Sequence, residues 1–128
     1  MQAYAYLTLR QAGREPQLFP LRSTSVTIGR DKAKCGLLIP EAFRRVSREH
    51  IRLTRVAGAV WIEDLGSSQG TFVDGGRVDE AARLKAGQRI TLGGPEPGDK
   101  VCELVFTFDL PPELQAGPTA ADQTTGQP

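Results

Sequence analysis

The stretch HIRLTRVAGAVWIEDLGSSQGTFVDGG, residues 50–76, decides the fold class. From His50 to Val56 and again from Val60 to Glu63, apolar residues alternate with polar ones, the two-residue period that sends one face of a strand into a core and the other into water. Ala57-Gly58 joins the two runs. Thr71 to Val73 then leads into Asp74-Gly75-Gly76, residue types that tolerate positive φ and mark a tight turn. Working outward, Ala3 to Leu9, Gln17 to Leu21, Ser25 to Ile28 and Leu37 to Ile39 read as strands before this stretch, and Gln88 to Leu92 and Val101 to Phe108 after it. Gly13 to Pro16 is a turn, and the Gly93 to Lys100 loop has two prolines that cannot continue a strand. Only Glu41 to Arg45 and Val78 to Ala86 are candidates for helix, each for a turn or two. The expected architecture is all-β, a two-sheet sandwich or barrel of ten or eleven short strands.

In the last of these runs, Cys102, Leu104, Phe106 and Phe108 fall on one face, so Cys102 reads as a small core residue rather than a reactive thiol. The domain is expected to span residues 1–110. From Pro111 the composition shifts to PPELQAGPTAADQTTGQP, with four prolines, two glycines and neither aromatic nor basic residues. Residues 111–128 therefore read as a flexible tail or linker, too poor in apolar surface to fold.

The whole chain of 128 residues is 39% hydrophobic and 24% charged with a net charge of +1, the profile of one soluble globular domain. No run approaches the ~20 apolar residues of a membrane span, and MQAYAYLTLRQ lacks a basic leader with an apolar core, which gives the expectation of a cytoplasmic protein without membrane insertion. Two distant cysteines and a single histidine cannot assemble a zinc or multi-histidine site, so neither metal nor cofactor is expected. A near-neutral charge argues against nucleic acid as the main partner. The neutrality conceals segregation: residues 30–55 carry a net charge of +5 and residues 58–80 a net charge of −4.

Two constellations compete for function. Gly66-Ser67-Ser68-Gln69-Gly70 fits the G-x-S-x-G of a hydrolase elbow, with His50 and Asp64 as triad partners. That motif needs a strand before the serine and a helix after it, whereas here a strand and a turn follow and the histidine comes first in the chain. A non-enzymatic reading is therefore preferred. The second constellation is Gly29-Arg30, then Ser47-Arg48-Glu49-His50, then Gly66 to Gly75. These are loop segments offering guanidinium groups, hydroxyls and an amide, with no nucleophile beside a base, a set suited to holding an anion. Arginine gives two-point hydrogen bonding to a phosphoryl group, and serine hydroxyls donate to its remaining oxygens.

At these residues the chain resembles the forkhead-associated (FHA) domain family, whose pattern runs G-R, S-x-x-H, S-x-N-G-T and L-x-x-G-D-x-I-x-L-G. The last element appears as Leu84-Lys85-Ala86-Gly87-Gln88-Arg89-Ile90-Thr91-Leu92-Gly93, and the resemblance covers roughly Val26 to Leu92. It implies a β-sandwich of about eleven strands whose loops bind phosphothreonine peptides, with a phosphothreonine-containing protein or peptide as partner, in a Ser/Thr protein kinase pathway. On that basis Arg30 and Ser47 contact the phosphate, and Arg48 and Ser68 add polar contacts. His50 shapes the loop, with Gly29, Gly70 and Thr71 as structural support. The alternative keeps the fold as a phosphate-independent protein-interaction scaffold.

Two positions depart from the pattern. Gln88 replaces an aspartate after Gly87. Gln69 replaces the asparagine whose amide grips the ligand backbone, offering the same groups one methylene farther out with an extra rotor to freeze. Read from sequence alone, Gln69→Asn is expected to tighten binding several-fold.

Overall fold

The computed structural model describes residues 2–11, 14–93 and 101–111, and every structural statement below concerns these residues. The expected turn residue Gly13, most of the Gly93 to Lys100 loop, and the tail beyond Pro111 lie outside them. Eleven strands run in chain order: β1 (Ala5–Leu9), β2 (Gln17–Leu21), β3 (Ser25–Gly29), β4 (Leu37–Leu38), β5 (Ile51–Val56), β6 (Ala59–Asp64), β7 (Thr71–Val73), β8 (Gly76–Arg77), β9 (Ala82–Arg83), β10 (Arg89–Leu92) and β11 (Cys102–Thr107). They form a six-stranded sheet, β2-β1-β11-β10-β7-β8, and a five-stranded sheet, β4-β3-β5-β6-β9. Pairing is antiparallel throughout except between β3 and β4.

The alternation read from the sequence sets the register. Leu53 of β5 lies opposite Ile62 of β6, and Ile51, Leu53, Val60 and Ile62 are all fully buried on the core side. The second sheet closes the core with Leu7, Leu9, Ile90, Leu92, Leu104 and Phe106. Burying each such side chain contributes about 1.5–3 kcal/mol, which ties the two sheets together without a helix. Cys102 is in this core, and burial pushes its thiol up to about 12. Phe108 lies just past the end of β11 at Thr107, and its ring packs edge-on against Phe106 at 5.0 Å while staying exposed.

Both helical candidates are corrected. Residues 41–46 make tight turns, with the N–H of Phe43 donating to Pro40 O (3.1 Å) and that of Val46 to Phe43 O (3.0 Å). Within Val78 to Ala86 the chain forms β9 instead, because Ala82 and Arg83 satisfy the open edge of β6 by pairing with Ile62 and Trp61. Among the described residues no helix is long and apolar enough to cross a membrane.

Candidate functional site

Three loops meet at one end of the sandwich: residues 30–36 after β3, residues 39–50 before β5, and residues 65–70 between β6 and β7. The first two are joined by backbone bonds from Arg30 N–H to Ser47 O (3.3 Å) and from Asp31 N–H to Arg48 O (3.1 Å). Asp31 folds the first loop: its carbonyl accepts from Lys34 and Cys35, and its carboxylate from the Ala33 N–H (2.9 Å). The Cys35 thiol adds a bond to Arg48 O at 3.0 Å.

His50 links the second and third loops. It is fully buried; its Nδ1 accepts the Ser47 N–H (2.9 Å), so the proton sits on Nε2, which donates to Gly70 O (2.8 Å). Gly70 presents that carbonyl from a φ of 91°, a left-handed conformation that favours glycine. With both ring nitrogens engaged by backbone, His50 has none left to activate Ser68. Asp64, 3.9 Å from Nε2, is likewise the hub of its own loop. Its carboxylate accepts from the N–H groups of Gly66 and Ser67, the Ser67 hydroxyl (2.6 Å) and the Thr71 hydroxyl (2.6 Å). Ser67 and the buried Thr71, the first and last residues of the stretch that resembles S-x-N-G-T, thus both fasten to Asp64, which lies outside that pattern.

Burial pushes the His50 imidazole below its ordinary value, against the raising influence of Gly70 O and Asp64. Burial opposes ionisation of Asp64, but the hydrogen bonds from Ser67 and Thr71 and the nearby His50 hold its carboxyl below the usual range. Both folded values are depressed, so both contributions to stability are present at neutral pH and lost on acidification. The His50 contribution is complete above the unfolded value of about 6.5 and disappears as pH falls through the folded value; that of Asp64 follows at lower pH. We expect the midpoint of urea unfolding to fall between pH 7.5 and pH 5. The single histidine signal of the folded protein should titrate below about 6.5 by NMR. A midpoint above that value, or greater stability at pH 5, would contradict the assignment.

Of the residues singled out from sequence, Arg30 and Arg48 line one open cavity of about 250 Å³ together with Asp31, Lys32 and Glu41. Ser47 and Ser68 are not among its lining residues but meet each other, the Ser68 N–H donating to Ser47 Oγ at 3.3 Å. Gln69 is held elsewhere, its Oε1 accepting from Arg45 Nη2 at 2.6 Å, while Arg45 Nε donates to Gly93 O at 3.0 Å. Arg45 and Glu41 both escaped the sequence reading. Gln88 has a structural place, accepting the Lys85 N–H at 2.7 Å.

The FHA domain family model matches residues 26–93, more than half of the chain. The chain belongs to the FHA domain family. Among solved structures, the FHA domain of the CT664 protein from Chlamydia trachomatis superposes with a TM-score of 0.69 at 23% identity, covering 80% of this chain and 95% of that one. The N-terminal FHA domain of Rad53p from S. cerevisiae, in complex with a phosphothreonine peptide, gives a TM-score of 0.68 at 19% identity, covering 83% and 94%. Mycobacterium tuberculosis EmbR, in complex with a low-affinity phosphopeptide, gives a TM-score of 0.64 at 29% identity over 84% of this FHA chain and 25% of its own. No curated protein matches the chain by sequence.

Proposed function

We propose that this FHA domain is a non-catalytic module that binds phosphothreonine peptides in the cytoplasm, as an adaptor or regulator in Ser/Thr kinase signalling. The observation that carries the reading is the convergence of Arg30 and Arg48 on one solvent-open cavity, at the loop end of the sandwich. Guanidinium groups bind a phosphate dianion by charge-assisted hydrogen bonds, and the backbone bonds of Arg30 and Asp31 to Ser47 and Arg48 hold the two arginine-bearing loops together in advance. The phosphopeptide complex of EmbR, at 29% identity, supports the same ligand class.

Calorimetric titration with matched phosphorylated and unphosphorylated threonine peptides tests it. Binding should require phosphate, weaken with salt because the cavity is open to screening, and weaken below about pH 6 as the phosphate takes up a proton. The scaffold alternative draws on the outer face of the five-stranded sheet, where Trp61 and Val56 are exposed. Equal, salt-insensitive binding of both peptides would favour it.

The place of Gln69 supports an expectation opposite to the one drawn from sequence. Its extra methylene carries the amide oxygen to Arg45, which fixes the additional rotor and leaves the amide N–H groups to a ligand. Gln69→Asn draws the oxygen back from that guanidinium, and is expected to weaken phosphopeptide binding by about three- to tenfold, chiefly through faster dissociation. Surface plasmon resonance measures both rates; a slower dissociation rate for Gln69→Asn would show that Arg45 does not orient the amide.

A further inference from the structure

Arg30 is not a free anchor. Its side chain is 23% exposed; Nε donates to Val46 O, and Nη1 donates to Glu41 Oε1 at 2.8 Å. A guanidinium has two edges that offer paired N–H groups, one formed by Nε with Nη2 and one by the two terminal nitrogens. The first is committed to the backbone at Val46. A phosphate seeking two-point contact is therefore directed to the terminal edge, where the Glu41 carboxylate already sits. Glu41 itself is 79% exposed and is carried by the turns at residues 41–46, so it can swing out without disturbing the core.

The charge around the cavity gives that displacement a consequence. Arg30, Lys32 and Arg48 are opposed by Asp31 and Glu41, an excess of one positive charge. A phosphate dianion reverses the sign. The Asp31 carboxylate stays tied to the Ala33 N–H, whereas Glu41 loses its described partner and is left beside a second anion. A cationic side chain on the ligand is the group that relieves both.

Resting on the phosphothreonine reading, we propose that Glu41 is a specificity-determining residue of this site: it competes with the ligand phosphate for Arg30, and once displaced it selects phosphothreonine peptides with a lysine or arginine close to the phosphothreonine. The exchange is a swap of ion pairs, Glu41 leaving Arg30 for the ligand cation as the phosphate takes its place. A ligand with a neutral neighbour leaves Glu41 unpaired, and one with an acidic neighbour adds a third anion.

The test is a set of fluorescence titrations at low salt. The probes are phosphothreonine peptides in which lysine, glutamine or glutamate is placed in turn at each of the three positions on either side of the phosphothreonine, assayed against the wild type and Glu41→Gln. Exposed ion pairs set the scale. At one or more positions the wild type should prefer lysine over glutamine by about two- to fivefold, and Glu41→Gln should lose that preference while binding the glutamine peptide about two- to fivefold more tightly. Melting curves for the two proteins should coincide, because Glu41 lies outside the core. Phosphate-dependent binding with the same ranking of peptides in wild type and Glu41→Gln would overturn the role of Glu41 and leave the phosphothreonine reading standing. Failure of every phosphorylated peptide to bind, or binding indifferent to phosphate, would overturn both.

Discussion

Arg30→Ala should reduce phosphopeptide affinity by about a hundredfold or more while the domain remains folded. A hydrogen bond to a charged group contributes ~1.5–3 kcal/mol, and the terminal edge of the guanidinium supplies two, each 1.4 kcal/mol being about tenfold in affinity. The cost to the fold is the single bond to Val46 O, about 1.5–3 kcal/mol by the same measure. Arg30→Lys should not rescue binding. An ammonium has no second planar nitrogen to hold Val46 O while the tip faces the cavity, so it loses both the fork and the contact that aims it. Calorimetry on both variants, with circular dichroism to confirm the β-sandwich, checks the result. An affinity within a few-fold of wild type for either would remove Arg30 from the centre of the site.

The strands were legible wherever a core face imposed a period of two over several residues, as along Ile51–Val56 and Cys102–Thr107. Gly76–Arg77 and Ala82–Arg83 are two residues each, too short to show any period. The second exists because Trp61 and Ile62 offered an open edge, and that long-range pairing overrode the local helical tendency of the alanines. The site divides in the same way. Arg30, Ser47, Arg48 and His50 fall in short spaced motifs, and the family resemblance those motifs carry implied loops at one end of the sandwich. No spacing announces that Glu41 reaches Arg30 eleven positions back, or that Arg45 bridges Gln69 and Gly93 across 24 and 48 positions. Those contacts arise only once three loops have been brought together, and they decide which atoms of the site remain open to a ligand. Asp64 shows the converse error: next to a histidine and a serine it resembles a triad member, yet its oxygens are occupied in fastening its own loop.

Gly29→Ala should damage both the fold and the site, because the glycine is required by a close approach of backbone rather than by its own torsion angles. A methyl built at Gly29 would lie 2.2 Å from Arg48 O, 2.7 Å from Arg48 C and 2.8 Å from Ser47 O. All three atoms are main chain, so no side-chain rotation relieves the overlap; the loop carrying Ser47 and Arg48 must move away from β3. That movement opens the bonds from Arg30 N–H to Ser47 O and from Asp31 N–H to Arg48 O, the two that hold the arginine-bearing loops in register. It also pulls on the Ser47 N–H that His50 accepts, and so reaches the third loop. Overpacking of this kind costs about 1–3 kcal/mol, which for a domain of this size lowers the melting temperature by roughly 4–13 °C. Separating Arg30 from Arg48 should cost at least tenfold in phosphopeptide affinity even where the protein is fully folded, since a two-point contact tolerates little displacement. Gly36→Ala in the same loop is the control. Its methyl would meet only the Val26 Cγ2 methyl within 3 Å, a side-chain group that can give way, so it should melt closer to wild type and keep its affinity. Differential scanning calorimetry and peptide titration at 10 °C, well below the melting of either variant, separate the two effects. If Gly29→Ala melts and binds as the wild type does, the close seating of Ser47 and Arg48 against β3 is not what organises the site.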